Sequence, residues 1–597
     1  MAVRLDHGVI GNGRVLSLVA PDSAIEWLCL PRFDSPSLFG SLLDAERGGV
    51  FRFRVGGEPL VGHSAYITNT NVLRTEFAAG DARWEVIDFA PRILRGSGMI
   101  DAPHELVRMV RPLAGTPRLT IEFAPRPDYA RSPGHTIATV HGVEVLDAGA
   151  PLHLYSNVPG DQICQQIEIP VRHPLFFVLS YGNRPSVPGI NDVNFMLDET
   201  IRGWRMWVRS CALPSFAPES VLRSALCMKL HAYIDTGAII AAATTSIPET
   251  LGTQRTWDYR YCWLRDAAFV VEALRRLSHL NEGEQFINFL RDIAEAAPLQ
   301  PLYGLAGERE LPEIVLEHLS GFRGSGPVRV GNAAAAQQQN DLNGELILCL
   351  ETVLSDPRIV LDQPHGFFPL VQRLVEQAIA LAPLADTGIW EFRTLPRHYT
   401  FSRAMCWAAI DRGAMIATHF GKHDIAARWR EIAIEERRIV LAGAFNEQAG
   451  WLTQALGGEH GDASNLLLPS IGIIDARDPR FLATLDNYGQ RLTRGGLMMR
   501  YTNPDDFGQP TSAFTICSFW WAEALALAGR LEEAIAVFER VQRFANPLGL
   551  FSEDIDPDSG TLLGNFPQAY THVGLVHAAM TIGALMDVRD GRVRAWA

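Results

Sequence analysis

The 597-residue chain has no uninterrupted apolar run of about 18 residues, so composition alone offers no membrane-spanning helix. At the N-terminus, Asp6 and His7 precede any apolar stretch, and glycine and polar interruptions up to Ala20 leave no signal-peptide core. A cytoplasmic location is the default expectation. Cysteine is sparse: Cys29, Cys164, Cys211, Cys227, Cys262, Cys349, Cys406 and Cys517 are scattered, and none forms a CxxC pair. This argues against bound zinc, redox chemistry and a disulfide framework, and the apolar neighbours of most of them fit buried thiols. Basic runs are missing too, and a formal charge of −14 with a pI near 5.7 repels a phosphate backbone, so no nucleic-acid partner is expected. There is no GxSxG and no P-loop. Gly11-Asn12-Gly13 starts a GxG but lacks the third glycine and the following βαβ unit of a dinucleotide site. His572 and His577 lie five apart near a helix start and read as structural residues, not ligands.

What the chain has is ample apolar material, 47% of residues against 20% charged, enough for a large folded core. Its length calls for two or more units. Up to about residue 200, short β-branched and aromatic stretches alternate with glycine, proline and aspartate. Phe51 to Val55, Trp84 to Phe89 and Leu119 to Phe123 have the period-two pattern of half-buried strands, with turn signals such as Pro125-Arg126-Pro127-Asp128 between them. This half is expected to be an antiparallel β-sandwich.

Near Glu199 the texture becomes helical. Glu199 to Arg209, Pro218 to Thr236 and Ala267 to Leu280 have helical spacing, and later segments repeat it; Arg530 to Phe544 is one, stopped by Asn546-Pro547-Leu548-Gly549. Paired helices suit either an open solenoid or a closed α/α barrel. Long loops rich in Trp, Tyr, Arg, Asp and Glu favour the barrel, because such loops build sites. The expected division is a sandwich over 1–215, a helical linker over 216–250 and a barrel over 251–597.

Three loops carry candidate chemistry. In TWDYRYCWLRD, Thr256 to Asp266, the rings of Trp257, Tyr259, Tyr261 and Trp263 can face the C–H surface of a sugar while Arg265 and Asp266 bond its hydroxyls. A core aromatic cluster with a structural Arg–Asp pair explains the same residues. In GIWEFR, Gly388 to Arg393, a carboxyl at Glu391 between Trp390 and Phe392 would be desolvated and hold its proton, as a general acid must. A helix cap or a pair with Arg393 is the plain alternative. Phe551 to His572 brings Glu553 together with Asp554, Asp556 and Asp558. The alternating aspartates suggest a calcium loop, although the EF-hand glycine and terminal glutamate are missing; a catalytic carboxylate at Glu553 is the sharper reading.

In their order along the chain these loops resemble glycoside hydrolase family 15, the glucoamylases and their bacterial relatives, including actinobacterial-type trehalases. The resemblance spans nearly the whole chain: residues 10 to 44, TWDYRYCWLRD, GFRGSGPVRVGNAA, GIWEFR, MRYTNPDDFG and SEDIDPDSGTLLGNFPQA. It implies a β-sandwich followed by an (α/α)6 barrel, and an inverting, exo-acting α-glucoside hydrolase that releases β-glucose without metal or organic cofactor. By motif position, Glu391 is the implied general acid and Glu553 the general base. Arg265 and Asp266 would hold the terminal glucose hydroxyls, with Tyr259, Trp263 and Trp390 walling that subsite and Arg500 adding a further sugar contact. Bacterial relatives usually read GSRPVR and DVYGE where this chain has Ser325-Gly326-Pro327 and Asp341-Leu342-Asn343-Gly344-Glu345. An arginine fork and a tyrosine face are thus expected to be missing near the leaving group.

Trehalose is the leading substrate on this resemblance, with maltooligosaccharide, dextrin or isomaltose hydrolysis as the runner-up. A disaccharide phosphorylase shares the architecture but can dispense with the base, which the presence of Glu553 disfavours. A non-catalytic sugar-binding protein is disfavoured by the intact carboxylates and the Arg265–Asp266 pair. The expected partner is a small α-glucoside; a membrane is not expected, and the sequence leaves a homo-oligomer open.

Overall fold

The computed structural model describes residues 5–592 other than 96–98, 183, 185, 297 and 359–363. The N-terminal half forms two antiparallel sheets, each of 8 strands. One runs in the order Gly8–Gly11, Leu16–Val19, Ile25–Cys29, Val50–Val55, Arg118–Ala124, Ile169–Pro170, with two short strands paired at its side. The other runs Thr136–Thr139, Gly142–Val145, Leu152–Ser156, Leu175–Tyr181, Glu105–Ala114, Ala82–Phe89, Leu73–Ala79, His63–Tyr66. The three strands expected from period two all form, and Leu73–Ala79 shows why: its residues alternate between buried and exposed.

Between Phe123 and the second sheet, the turn anticipated at Pro125 to Asp128 continues as a left-handed backbone. Asp128, Tyr129 and Ala130 have φ of 53°, 54° and 62°. None is a glycine, and each such residue costs roughly 1–2 kcal/mol. A hydrogen bond from Ala130 N–H to the Arg126 carbonyl and one from Ser132 N–H to Pro127 close the turn.

Helix Ile190–Arg209 leads out of the sandwich, and the described elements that follow are mainly helices, joined by loops that carry short two-residue strands. Among the described residues, the inner helices are Leu264–Arg276, Leu342–Leu354, Thr400–His419, a short turn with Leu468–Ile471, Thr515–Leu527 and Ala569–Arg589. Each packs on the next, and the last packs back on the first, so the ring is closed and a solenoid is excluded. Outer helices lie behind: Asn281–Ala296, Phe368–Leu381, His423–Ala444, Pro479–Arg491 and Leu531–Gln542. The sixth outer position is taken by Pro218–His231, which packs against Ala569–Arg589. The stretch expected as a linker therefore supplies the outer partner of the C-terminal helix, and Ile190–Arg209 makes the passage from the sandwich.

The two helix classes differ in composition for a physical reason. Outer helix His423–Ala444 buries one stripe of Ala426, Trp429, Ala433, Val440 and Ala444. Inner helix Thr400–His419 is enclosed almost all round and uses small or apolar residues on nearly every face, from Phe401 to Ala417. Ala569–Arg589 is the one described helix long and apolar enough to cross a membrane, but it is largely buried inside the ring. The eight cysteines are all free thiols, and six of them are buried.

Candidate active site

Residues at the N-terminal ends of the inner helices gather at one cavity. Trp263, Phe514 and Gln568 precede three of these helices and line it. Asp341 and Asp462, before two others, stand behind lining residues Arg265 and Trp390. The helix dipoles at these ends present positive charge to the cavity, which favours the carboxylates placed there. The cavity encloses about 910 Å³, its open mouth included. Tyr259, Trp263, Arg265, Asp266, Trp390, Glu391, Arg500 and Glu553 all line it, so residues nearly 300 apart in sequence share one space.

Glu391 reaches the cavity through an unusual backbone. It is a non-glycine residue with φ of 60°, in a turn where its N–H donates to Gly388 and that of Phe392 to Thr387. Gly388, itself at φ 68°, has no room for a side chain, since a Cβ would meet the Tyr399 ring at 2.8 Å. The neighbours on either side point into aromatic clusters. Trp390 packs with Tyr501, Phe514 and Trp520 and donates its indole N–H to Asp462 at 2.8 Å; Phe392 stacks on Tyr399. Glu391 itself turns the other way. Its Oε1 accepts from Trp263 Nε1 at 2.7 Å, Arg265 Nη2 at 3.2 Å and Gln339 Nε2 at 3.3 Å. Trp390 and Phe392 anchor its loop, and the carboxyl sits partly buried among polar donors, with 22% of the side chain exposed.

Arg265 holds the floor. Its guanidinium bonds Gln339 at 2.8 Å and Asp341 at 3.1 Å as well as Glu391, while Asp266 stays at 3.8 Å. The adjacent pair is therefore no tight ion pair, and acceptor capacity on Asp266 is left for a ligand hydroxyl. Burial pushes the Asp266 carboxyl up to about 7, against the pull of Arg265.

Glu553 is nearly inaccessible, at 1% exposure, and sits in a knot of charge. Burial first, then the carboxylates of Asp554 and Glu249, push it well above the usual carboxylate range; the Asn565 N–H at 3.0 Å and Arg500 act in the opposite sense. Tyr259 lines the cavity alongside it. Gly564, at φ 70°, is required here because a Cβ would lie 2.7 Å from the Glu553 carboxylate. Arg500 pairs with Glu249, and Arg255 joins Glu249 at 3.6 Å to Asp505 at 2.5 Å. Asp554 is wholly buried and both of its carboxyl oxygens lack a close hydrogen-bond partner; burial raises it to about 7. The other two aspartates of this loop lie elsewhere, with Asp556 bonded to the Asp558 N–H and the Ser559 hydroxyl, and Asp558 paired with Arg494. They do not converge on a cation, and among the described residues no cluster of three His, Cys, Asp or Glu is placed to hold a metal.

Other lining residues were not singled out by the sequence. Glu249 sits in an ordinary IPET string, and its role comes from Arg500 and from the Trp257 N–H at 3.0 Å. Tyr570 lies one residue beyond the SEDID-to-PQA stretch and is a lining residue whose only signal was that proximity. Gly326 and Asn343, expected to border the leaving group, are not among the lining residues: Gly326 precedes a cis proline in a neighbouring loop, and Asn343 is buried in the first turn of Leu342–Leu354. As they stand, neither residue forms part of the cavity wall.

The profile of Glycosyl hydrolases family 15 matches residues 216–580, and that of the Trehalase-like, N-terminal domain matches residues 2–167. The chain is 35% identical to the trehalase of Mycolicibacterium smegmatis, covering 97% of this chain and 91% of that protein. It is 33% identical to the trehalase of Thermoplasma volcanium, covering 99% and 95%. Among solved structures, a bacterial glucoamylase complexed with acarbose superposes with a TM-score of 0.72 over 100% of this chain and 97% of that one; at 15% identity the likeness concerns the fold.

Proposed function

The chain belongs to glycosyl hydrolases family 15 and is a glycoside hydrolase, and from that premise we propose that it hydrolyses α,α-trehalose with inversion, Glu391 acting as general acid and Glu553 as general base. The observation that carries this reading is that both glutamates line one cavity whose other walls offer aromatic faces and hydroxyl-binding polar groups. One glucosyl unit would lie against Trp263, Trp390 and Tyr259, with its hydroxyls held by Arg265, Asp266 and Arg500.

Glu391 then gives its proton to the bridging oxygen. As charge develops on its carboxylate, Trp263, Arg265 and Gln339 are already in place as donors and need no reorganisation. Glu553 takes a proton from a water that attacks C1 on the opposite face, so the released sugar is β-glucose. A base lifted above the ordinary carboxylate range is a stronger base, provided the medium is alkaline enough to ionise it. No metal or organic cofactor enters these steps, and the cytoplasm is the proposed location.

The test is glucose release from trehalose, maltose, isomaltose, dextrin and dextran in parallel, with the first-formed anomer followed by NMR. Trehalose should be turned over fastest and β-glucose should appear first. Faster turnover of maltose or isomaltose would move the specificity to the glucoamylase type, α-glucose as first product would exclude inversion, and strictly phosphate-dependent formation of glucose 1-phosphate would exclude hydrolysis.

A further inference from the structure

The left-handed turn of the sandwich meets the barrel at a residue of the active-site loop. Arg260, fully buried between lining residues Tyr259 and Trp263, turns away from the cavity and into the sandwich. Its guanidinium forks onto Asp258 at 2.9 and 2.7 Å, and the remaining donors go to the sandwich: the Tyr129 hydroxyl at 2.8 Å and the Ser35 carbonyl at 2.8 Å. Tyr129 is held from both ends, because its own carbonyl accepts from His318 Nε2 at 2.7 Å. A buried aromatic residue in the left-handed region persists only where its surroundings over-determine it, and such strain concentrates where geometry matters. Here the over-determined atom is a hydroxyl aimed at the side chain next to Tyr259.

We propose that the sandwich is a working part of the active site, with Tyr129 a positioning residue that holds Arg260 and, through it, sets Tyr259 against Glu553. The chain of contacts runs from Tyr129 to Arg260 and from Arg260 to Asp258, which precedes Tyr259; on the far side of Asp258 the Trp257 carbonyl accepts from Asn565, whose backbone N–H donates to the base. Tyr259 and Glu553 line the same cavity. This inference rests on Glu553 being the base.

The experiment is Tyr129→Phe, which deletes one hydroxyl, compared with Tyr259→Phe and the double variant, each assayed on trehalose across pH. For Tyr129→Phe, kcat should fall roughly 10-fold, less than the ~100-fold that a 1 Å misplacement can cost, with KM changed less than about twofold. The acidic limb of the pH profile should move to higher pH, as in Tyr259→Phe, because the polar wall that shares the cavity with the ionised base is displaced or removed. In the double variant the Tyr129 change should add nothing to the loss from Tyr259→Phe, which is the signature of one pathway. Arg260→Lys keeps a charge beside Asp258 but loses the fork, and gives the same readout if the phenylalanine variant fails to fold. Ala130→Gly relaxes the turn without touching the hydroxyl, and should keep kcat and the acidic limb while raising Tm. A Tyr129→Phe enzyme that loses Tm but keeps kcat and the acidic limb, or losses that multiply in the double variant, would overturn the proposal. Glu553→Gln separates the two readings: full activity there refutes the base assignment, whereas an inactive Glu553→Gln with a silent Tyr129→Phe refutes only the positioning role.

Discussion

Replacing Trp263 by Phe tests the preorganised acid directly. The substitution keeps an aromatic wall but removes the indole N–H that donates to Glu391 Oε1 at 2.7 Å, the shortest of the bonds to that oxygen. A hydrogen bond to a charged group is worth about 1.5–3 kcal/mol. Realised in full at the transition state, this amounts to a ~10- to 150-fold loss in kcat; with the proton about half transferred, the expected loss is ~4- to 13-fold. KM should change little, because the bond matters as charge appears on Glu391 and not when the neutral sugar binds. The assay is initial glucose release at saturating trehalose, with Tm measured in parallel to show that the fold survives. An unchanged kcat would mean that Trp263 is only a wall. A loss as deep as that of Glu391→Gln would mean that the indole does more than stabilise the carboxylate, and the reasoning would fail on that side.

Glu391→Gln should lower kcat on trehalose by ~10²- to 10⁴-fold, yet lose far less on α-glucosyl fluoride, whose leaving group needs little protonation; equal losses on both substrates would remove Glu391 from the acid role. Asp554→Asn takes a like charge from beside Glu553, so the acidic limb of the kcat/KM profile should move to lower pH, and a shift in the other direction would contradict the charge arrangement at the proposed base. Asp386 is pushed up to about 7, chiefly by burial, so the folded protein keeps a proton there that the unfolded chain has lost above about pH 4. Its contribution to stability therefore falls as pH rises toward 7. Asp386→Asn, which cannot ionise, should flatten the decline of Tm between pH 5 and pH 8, and an unchanged slope would refute the assignment.

Much of this was legible in the chain, for local reasons. Strands such as Trp84 to Phe89 announce themselves because one face meets a core and the other does not, and helix ends are marked by breakers such as Gly529, at φ 84°. The loop residues Arg265, Glu391, Arg500 and Glu553 could be chosen because their motifs recur in order, and the structure brings them to one cavity. What could not be read depends on contacts between segments far apart in sequence. Nothing near Glu249 indicates that it faces Arg500, some 250 residues later. The partners of the Glu391 carboxyl could not be read either, because neighbours in sequence need not be neighbours in space: the turn at φ 60° sends Trp390 and Phe392 one way and the carboxyl another. The aspartate pattern 554, 556, 558 likewise suggested a shared ligand set that the backbone splits between a buried knot and an outer turn.

Ring closure also sets an order of events during biosynthesis. The last inner helix, Ala569–Arg589, packs between Thr515–Leu527 and Leu264–Arg276, and it also covers Pro218–His231. The first inner helix therefore leaves the ribosome about 310 residues before its final neighbour, an interval of roughly 15 to 60 s at ~5 to 20 residues per second. During that interval the faces of Leu264–Arg276 and Pro218–His231 that will meet Ala569–Arg589 stay uncovered, while the sandwich is already complete and Arg260 can dock into it. The nascent barrel thus waits on a finished scaffold, exposed along one seam, and loss of the final helix would leave that seam open to aggregation.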